Sequence, residues 1–374
     1  MKRSGKPFFI LTGSTGVLGS HILYELLWKI HACGYQGKLI LLLRPKQGKS
    51  IEARFRDLLN PALMPVFMQE IDLERIQKDH VQLQDYDMTT AEALDACFQS
   101  EEGTWHLIHC AASVNLGTSA AACEEIKQTN YYGTLRLIKM LRPYIHKVSY
   151  ISTAFAFRPE EWKEQNMVQY RNYYEIFKAQ IEEEIPELCR EYGLAWQILR
   201  PSIIAGRLMD APYHVVYRFL VFYLFGAFFY RSKQAYGNMN VRIALNPNGG
   251  LNMVPVDYAA KVIVRALDTP IQDLNVVHSK YVPNTFAVPR MLQAAGWTNY
   301  EFVSQIPTDL NPVEKLYYRT AGAQLSQYLL ADDYPFDMAE LKDLIPDVEE
   351  PNLEANFAAL CDYAAEHQFR HVME

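Results

Sequence analysis

The first two hundred residues alternate short apolar runs with longer amphipathic stretches. The runs predict strands at Phe8–Thr12, Lys38–Leu43, His80–Gln84, Trp105–Cys110, Lys147–Ser152 and Ala195–Leu199. Helical spacing appears between them, at Val17–Ala32, Thr118–Leu141 and Met167–Tyr192. Apolar residues nearly fill several of the strands, as strands covered on both faces require. Strands alternating with helices predict β-α-β units around a parallel sheet, so the expected class is α/β and doubly wound.

After Arg200-Pro201-Ser202 the alternation breaks down. Phe219 to Tyr230 reads FLVFYLFGAFFY, without a charge, between Arg218 and Arg231. A bilayer crossing needs about 20 apolar residues, so no membrane span is expected. The aromatic stretch 213–230 is left as a buried helix, an interfacial surface or the wall of a ligand tunnel. A turn-rich piece, Asn246 to Gly250, precedes a strand-to-helix passage from Leu251 to Asp257, and a strand at Asn275–His278 extends the sheet. From about Asn284 the tail is mostly helical with Pro-marked breaks. The expected division is a dinucleotide-binding domain over 1–206, completed by a segment at about 251–280. A smaller, mainly helical substrate lobe, 207–250 and 281–374, then folds over the open end of the sheet. Ligands of doubly wound sheets bind there, outside the carboxyl ends of the strands.

Composition narrows the function classes. A net charge of −7 over 374 residues leaves no basic surface for a nucleic-acid partner. Six scattered cysteines without C-x-x-C pairs suit neither a zinc site nor a disulfide scaffold, so no metal is expected and the setting reads as reducing and cytoplasmic. The polar, basic first residues run at once into a short strand, which is not a secretion signal.

The strongest local signal is Thr12-Gly13-Ser14-Thr15-Gly16-Val17-Leu18-Gly19, between the first strand and the first helix. Glycines there allow a tight turn and close approach of a pyrophosphate, and the helix N-terminus offers unpaired N–H groups. This makes the fold Rossmann-type. The second strand ends in Leu43-Arg44-Pro45-Lys46, where an NAD enzyme would carry Asp or Glu. An arginine fork suits a 2′-phosphate, Lys46 and Arg54 add positive charge, and the cofactor expected is NADPH. In Asp85-Tyr86-Asp87-Met88, Asp87 is placed either to reach the adenine, with Met88 beside it, or to cap a helix. Ala111 and Ala112, after His109-Cys110, are small enough to let the dinucleotide lie against the backbone.

Tyr174 and Lys178 stand four apart, hence on one helix face, after a strand that ends in Ser152-Thr153. Hydride arriving at a carbonyl carbon leaves charge on oxygen that must be held and protonated. Tyrosine, with a pKa near ~10, is a poor acid–base group at neutral pH. A neighbouring ammonium is expected to lower that value. Lys178 also suits a bond to the nicotinamide ribose, and Thr153 an oxyanion-type role. Asn130 would brace the site or carry a relay water; alternatively it is a helix-interior amide bonded to local backbone. Tyr173 has Phe177, not lysine, four residues on.

The ordered set T-G-x-T-G-x-L-G, H-C-A-A-S-V-N, N-Y-Y-G-T, I-S-T-A, Y-x-x-x-K-A and L-R-P-S-I resembles the extended short-chain dehydrogenases. More narrowly it is similar to the fatty acyl-CoA reductase, male-sterility and thioester-reductase branch, including the nonribosomal-synthetase reductase domains. R-P-K-Q-G-K-S after the second strand and Val254-Pro255-Val256-Asp257 match that branch, and the resemblance covers about residues 7 to 268. It implies NADPH-dependent reduction of an acyl thioester, on coenzyme A or a carrier phosphopantetheine, to an aldehyde or alcohol. By the same resemblance Thr153, Tyr174 and Lys178 are catalytic. Gly13, Gly16, Gly19, Arg44 and Asp87 hold the cofactor, with Pro201, Ser202 and Ile203 alongside it. The carrier is expected in trans, and a homodimer through the helices flanking the sheet is a family expectation. Tyr86 stands where the branch has glycine, and the tail does not match the helical C-terminal domain of the long-chain enzymes. Two rival readings share the fold: a dehydrogenase or epimerase acting on a sugar nucleotide or hydroxysteroid-like alcohol, and an NADPH-sensing regulator without turnover.

Overall fold

The apolar runs of the first half lie side by side in a parallel sheet. The computed structural model describes residues 8–34, 36–90, 94, 105–156 and 170–372. Its main elements are β1 (Phe8–Thr12), α1 (Val17–Ala32), β2 (Lys38–Leu43), α2 (Ile51–Leu58), α3 (Leu73–His80), β3 (Val81–Asp85), β4 (Trp105–His109), α4 (Ala120–Ile126), α5 (Gly133–Leu141), β5 (Ile145–Ile151), α6 (Tyr173–Tyr192) and β6 (Ala195–Pro201). The seven-stranded sheet runs β3-β2-β1-β4-β5-β6 and ends on the strand Asp273–Val276, with every pairing parallel. The order reverses between β1 and β4, and a crevice opens at their carboxyl ends.

Apolar side chains cover both faces. On one, Leu23, Leu26 and Leu27 of α1 pack with Val262 and Ile263 of the helix Val256–Ala266. On the other, Leu137 and Leu141 of α5 pack with Ile181 and Ile185 of α6. A third core fills the C-terminal region, where Phe225 and Phe229 meet Trp297, Tyr317 and Phe357. From Phe222 on, the aromatic stretch forms a core helix, Phe222–Tyr236, with Phe222, Tyr223, Phe225 and Phe229 buried, while 213–221 ahead of it is not helical. A parallel pair, Val241–Ala244 with Tyr300–Val303, flanks it. Among the described residues no helix is long and apolar enough to cross a membrane, and no group of His, Cys, Asp and Glu could hold a metal ion.

Three expected elements shift. The helix read at Thr118–Leu141 is α4 and α5 joined by a π-helical turn, Lys127–Tyr132. The helix read from Met167 begins at Tyr173, because the Asn172 side chain accepts the Glu175 N–H and caps it there, while 167–169 lie outside the described residues. The last strand lies at Asp273–Val276, pairing Val276 with Pro201.

Candidate active site

The glycine turn sits at the switch between β1 and β4. Gly13 has φ +74°, and a Cβ there would lie 2.6 Å from the Ala111 nitrogen. A Cβ on Gly19 would lie 2.1 Å from the Gly13 oxygen, so α1 can cross the turn only without a side chain. Gly16 precedes α1 and no side chain caps its first N–H groups. Thr12 ties the turn down. Its Oγ1 accepts from Cys110 N (3.1 Å) and Ala111 N (3.0 Å) and therefore donates to His109 Nδ1 (2.8 Å). That fixes the His109 tautomer, with Nε2–H donating to Thr134 Oγ1 at 2.9 Å. Burial, assisted by the Lys178 charge, lowers the His109 pKa to about 3, so the bridge is neutral.

A cleft of about 770 Å³ runs from this turn between the strand ends and the C-terminal region. Thr15, Val17, Leu18, Met88, Ala111 and Ala112 line it, with Ala111 against the glycine turn. Ser14 does not line it; its hydroxyl is buried behind the turn. At the end of β2 the Arg44 guanidinium pairs with Asp87 Oδ2 at 2.9 Å. Asp87 Oδ1 also accepts from Thr89 N and Oγ1. Burial works against this carboxylate, but the bonds from Thr89 and Arg44 outweigh it and hold its pKa below the ordinary value. Asp87 thus caps a turn, not a helix, and pairs with Arg44 while it also lines the cleft. Lys46 lines the cleft from a tight turn closed by Lys46 N to Lys49 O (3.1 Å) and its reciprocal (3.0 Å). Arg54 is buried; it donates Nη2 to Thr15 Oγ1 at 2.7 Å and Nη1 to the Arg44 carbonyl, so it ties the glycine turn to β2.

Thr153, Tyr174 and Lys178 line the same cleft, with Pro201, Ser202 and Ile203 beyond them. Burial, reinforced by Cys110 and Glu175, pushes the Tyr174 pKa above the ordinary tyrosine value. The expected lowering by lysine does not appear. Lys178 turns its Nζ to the Ile151 carbonyl (2.7 Å) and the face of Tyr150 (4.5 Å), and stands 5.8 Å from the Tyr174 ring centre. Burial lowers the Lys178 pKa to about 8. Cys110, also in the lining, is pushed up to about 12 by burial, so it is a thiol and no nucleophile at neutral pH. Asn130 lies outside the lining. From the π-helical turn it donates Nδ2 to Ser113 O (3.0 Å) and accepts from Ser113 N (2.8 Å), bracing the strand end across seventeen residues of chain rather than its own helix.

Several lining residues carry no local sequence signal. Tyr328, in the helix Ala321–Leu329, donates to Glu175 Oε1 (2.7 Å) and accepts from Asn172 Nδ2 (2.9 Å). Arg218 and Val221 reach the cleft from the segment ahead of the aromatic helix. Asp257, of the V-P-V-D signal, accepts the N–H groups of Leu208, Met209 and Asp210 and closes the loop after β6. Its motif is visible in sequence; its partners are not.

A dinucleotide fits these residues. The glycine turn leaves no room for side chains, the start of α1 is uncapped, and the Ser202 hydroxyl in the lining has no hydrogen-bond partner among the described residues.

Residues 11–263, most of the chain, match the model of the male sterility protein family. No curated protein sequence gives a significant match. Among solved structures, the terminal R domain of the myxalamid PKS-NRPS pathway is similar at 17% identity and TM-score 0.67, over 100% of this chain and 94% of that one. A thiolation-reductase di-domain of an archaeal nonribosomal peptide synthetase gives 20% and 0.65, over 98% and 77%. UDP-glucose 4-epimerase of Thermotoga maritima gives 18% and 0.60, over 96% and 99%. At these identities the likeness is one of fold. The family match is what places the chain: it belongs to the male sterility protein family, within the extended short-chain dehydrogenases and thioester reductases, and is an NAD(P)-binding oxidoreductase.

Proposed function

We propose that this protein reduces an acyl thioester, carried on coenzyme A or on the phosphopantetheine of a carrier protein, using NADPH. The observation that carries the reading is one cleft lined by the glycine turn, by Arg44 and Lys46 at the end of β2, and by Thr153, Tyr174 and Lys178. The family and the two reductase structures favour a thioester over other carbonyls. The glycine turn and Arg44 would hold NADPH, which would supply the hydride to the carbonyl carbon.

The chain's own groups do the rest. Thr153, at the end of β5, holds the carbonyl oxygen, where negative charge develops. Tyr174, kept protonated by its raised pKa, gives its proton to that oxygen. The product is a thiohemiacetal; breaking its C–S bond passes the hydroxyl proton to the departing thiol and leaves an aldehyde, and a second hydride from NADPH with a proton from Tyr174 would give the alcohol. Lys178 keeps a cation beneath the cleft and Asn130 holds the Ser113 backbone that borders it. The fold shared with UDP-glucose 4-epimerase supports a second reading, oxidation and reduction of a sugar nucleotide at the same residues.

The test is NADPH consumption with acyl-CoA and acyl-pantetheine thioesters, with free thiol titrated in parallel and Tyr174→Phe as control. The expected result is consumption matched by thiol release, falling about 10²- to 10⁴-fold in the variant. Turnover of a UDP-sugar with none of any thioester would overturn the reading in favour of the second.

A further inference from the structure

The segment between β6 and the aromatic helix carries a cation into the cleft, and its path is fixed by contacts to the N-terminal half. The fully buried Arg207 donates Nη2 to the Leu63 carbonyl at 2.6 Å. Val66 N donates to the Ala211 carbonyl at 2.8 Å. The Tyr217 hydroxyl meets that of Tyr24 at 2.7 Å, and Tyr24 donates to the Leu58 carbonyl at 2.6 Å. His21 stacks on the Tyr217 ring, with centres 5.5 Å apart. Leu58 ends α2, the helix that carries Arg54. The segment is thus pinned to the end of α2, and the residue after Tyr217, Arg218, lines the cleft together with Arg54 and Arg44.

Arg54 registers this neighbour: burial first, then the charges of Arg218 and Arg44, lower its pKa. Like charges converging in a partly buried cleft are costly alone and become favourable around a multiply charged anion. Guanidinium forks match phosphate oxygens, and the end of β2 is where a dinucleotide presents the 2′ position of its adenosine ribose. We propose that Arg218 is a cofactor-specificity residue, reaching across the cleft from the C-terminal side to complete, with Arg44 and Arg54, a cradle for the 2′-phosphate of NADPH. The inference rests on the reading of NADPH as cofactor and adds to it a residue outside the β2 loop.

The test compares wild type with Arg218→Met, which keeps length and removes charge, and Arg218→Lys. Affinities are measured for NADPH, NADH and the fragment adenosine 2′,5′-bisphosphate. The expected result in Arg218→Met is a loss of about tenfold or more for NADPH and the fragment, about 1.4 kcal/mol, with NADH changed less than about twofold. Arg218→Lys should fall between, which keeps the question decidable if the Met variant unfolds. Equal losses for NADPH and NADH would overturn the proposal in favour of a pyrophosphate contact. Unchanged cofactor affinity with a raised KM for acyl-CoA would overturn it in favour of a substrate phosphate. A wild type that binds NADH as tightly as NADPH would instead sink the NADPH reading itself.

Discussion

Burial decides the chemistry of the two central side chains. It raises the pKa of Tyr174, which therefore remains a proton donor throughout the neutral range, the state a reduction needs. It lowers that of Lys178 to about 8, so the ammonium is present below that pH and lost as pH rises through it. Turnover should be level on the neutral side and decline above pH about 8. Arginine does not deprotonate in this range. A kcat/KM profile of Lys178→Arg should therefore start lower and lack the limb near 8; a limb that persists there would assign it to another group. Stability moves the opposite way. Between about 8 and the free lysine value the unfolded chain binds more protons at this site than the folded one, so this group's contribution to folding grows with pH. Falling activity with undiminished unfolding temperature would separate titration of Lys178 from loss of structure.

At the scale of elements, the π-helical turn Lys127–Tyr132 is what lets Asn130 face Ser113. Removing its amide in Asn130→Ala leaves the half-buried N–H and C=O of Ser113 without that partner, at about 1 kcal/mol for each lost bond. The variant should melt measurably lower and lose kcat more than cofactor affinity, because Asn130 acts through the Ser113 backbone of the cleft lining and makes no contact with the glycine turn among its hydrogen bonds. Equal kcat at equal unfolding temperature would show the pair to be dispensable. The turn was not legible in the sequence, since one extra residue in a helix barely disturbs the apolar spacing, and Thr118–Leu141 reads as a single helix. β1, α1 and β2 were legible to the residue, because doubly covered strands are continuous apolar runs and a glycine turn marks the boundary between the first two. The pair Val241–Ala244 with Tyr300–Val303 was not: four-residue strands joined across some sixty residues leave no local pattern. The cleft shows the same division. Gly13, Arg44, Thr153, Tyr174 and Lys178 announce themselves by spacing, whereas Arg218 and Tyr328 enter it only through tertiary packing.

Across the whole molecule, the C-terminal region grips the catalytic helix beside the reacting group. Tyr328 donates to Glu175 and accepts from Asn172, the residues on either side of the Tyr173-Tyr174 pair. Arg171 completes the joint, pairing with Glu175 at 3.1 Å and lying 4.6 Å over the Tyr328 ring. Glu175 is fully buried, so its bonds from Tyr328 and Arg171 matter more than they would in water. The same tyrosine lines both the cleft and a small apolar recess formed by Phe222, Phe225 and Leu325. Tyr328→Phe keeps the ring and removes the hydroxyl, which leaves Asn172 without that acceptor and Glu175 without that donor. The expected cost is about 1–3 kcal/mol of stability, read as a lower midpoint in urea unfolding. In turnover, KM for the thioester should rise and kcat fall while NADPH affinity stays within about twofold, because the cofactor proposed here would be held by the glycine turn and β2, which make no hydrogen bond to Tyr328. A variant with lower stability but unchanged KM and kcat would show that the joint holds the protein together without aligning Tyr174.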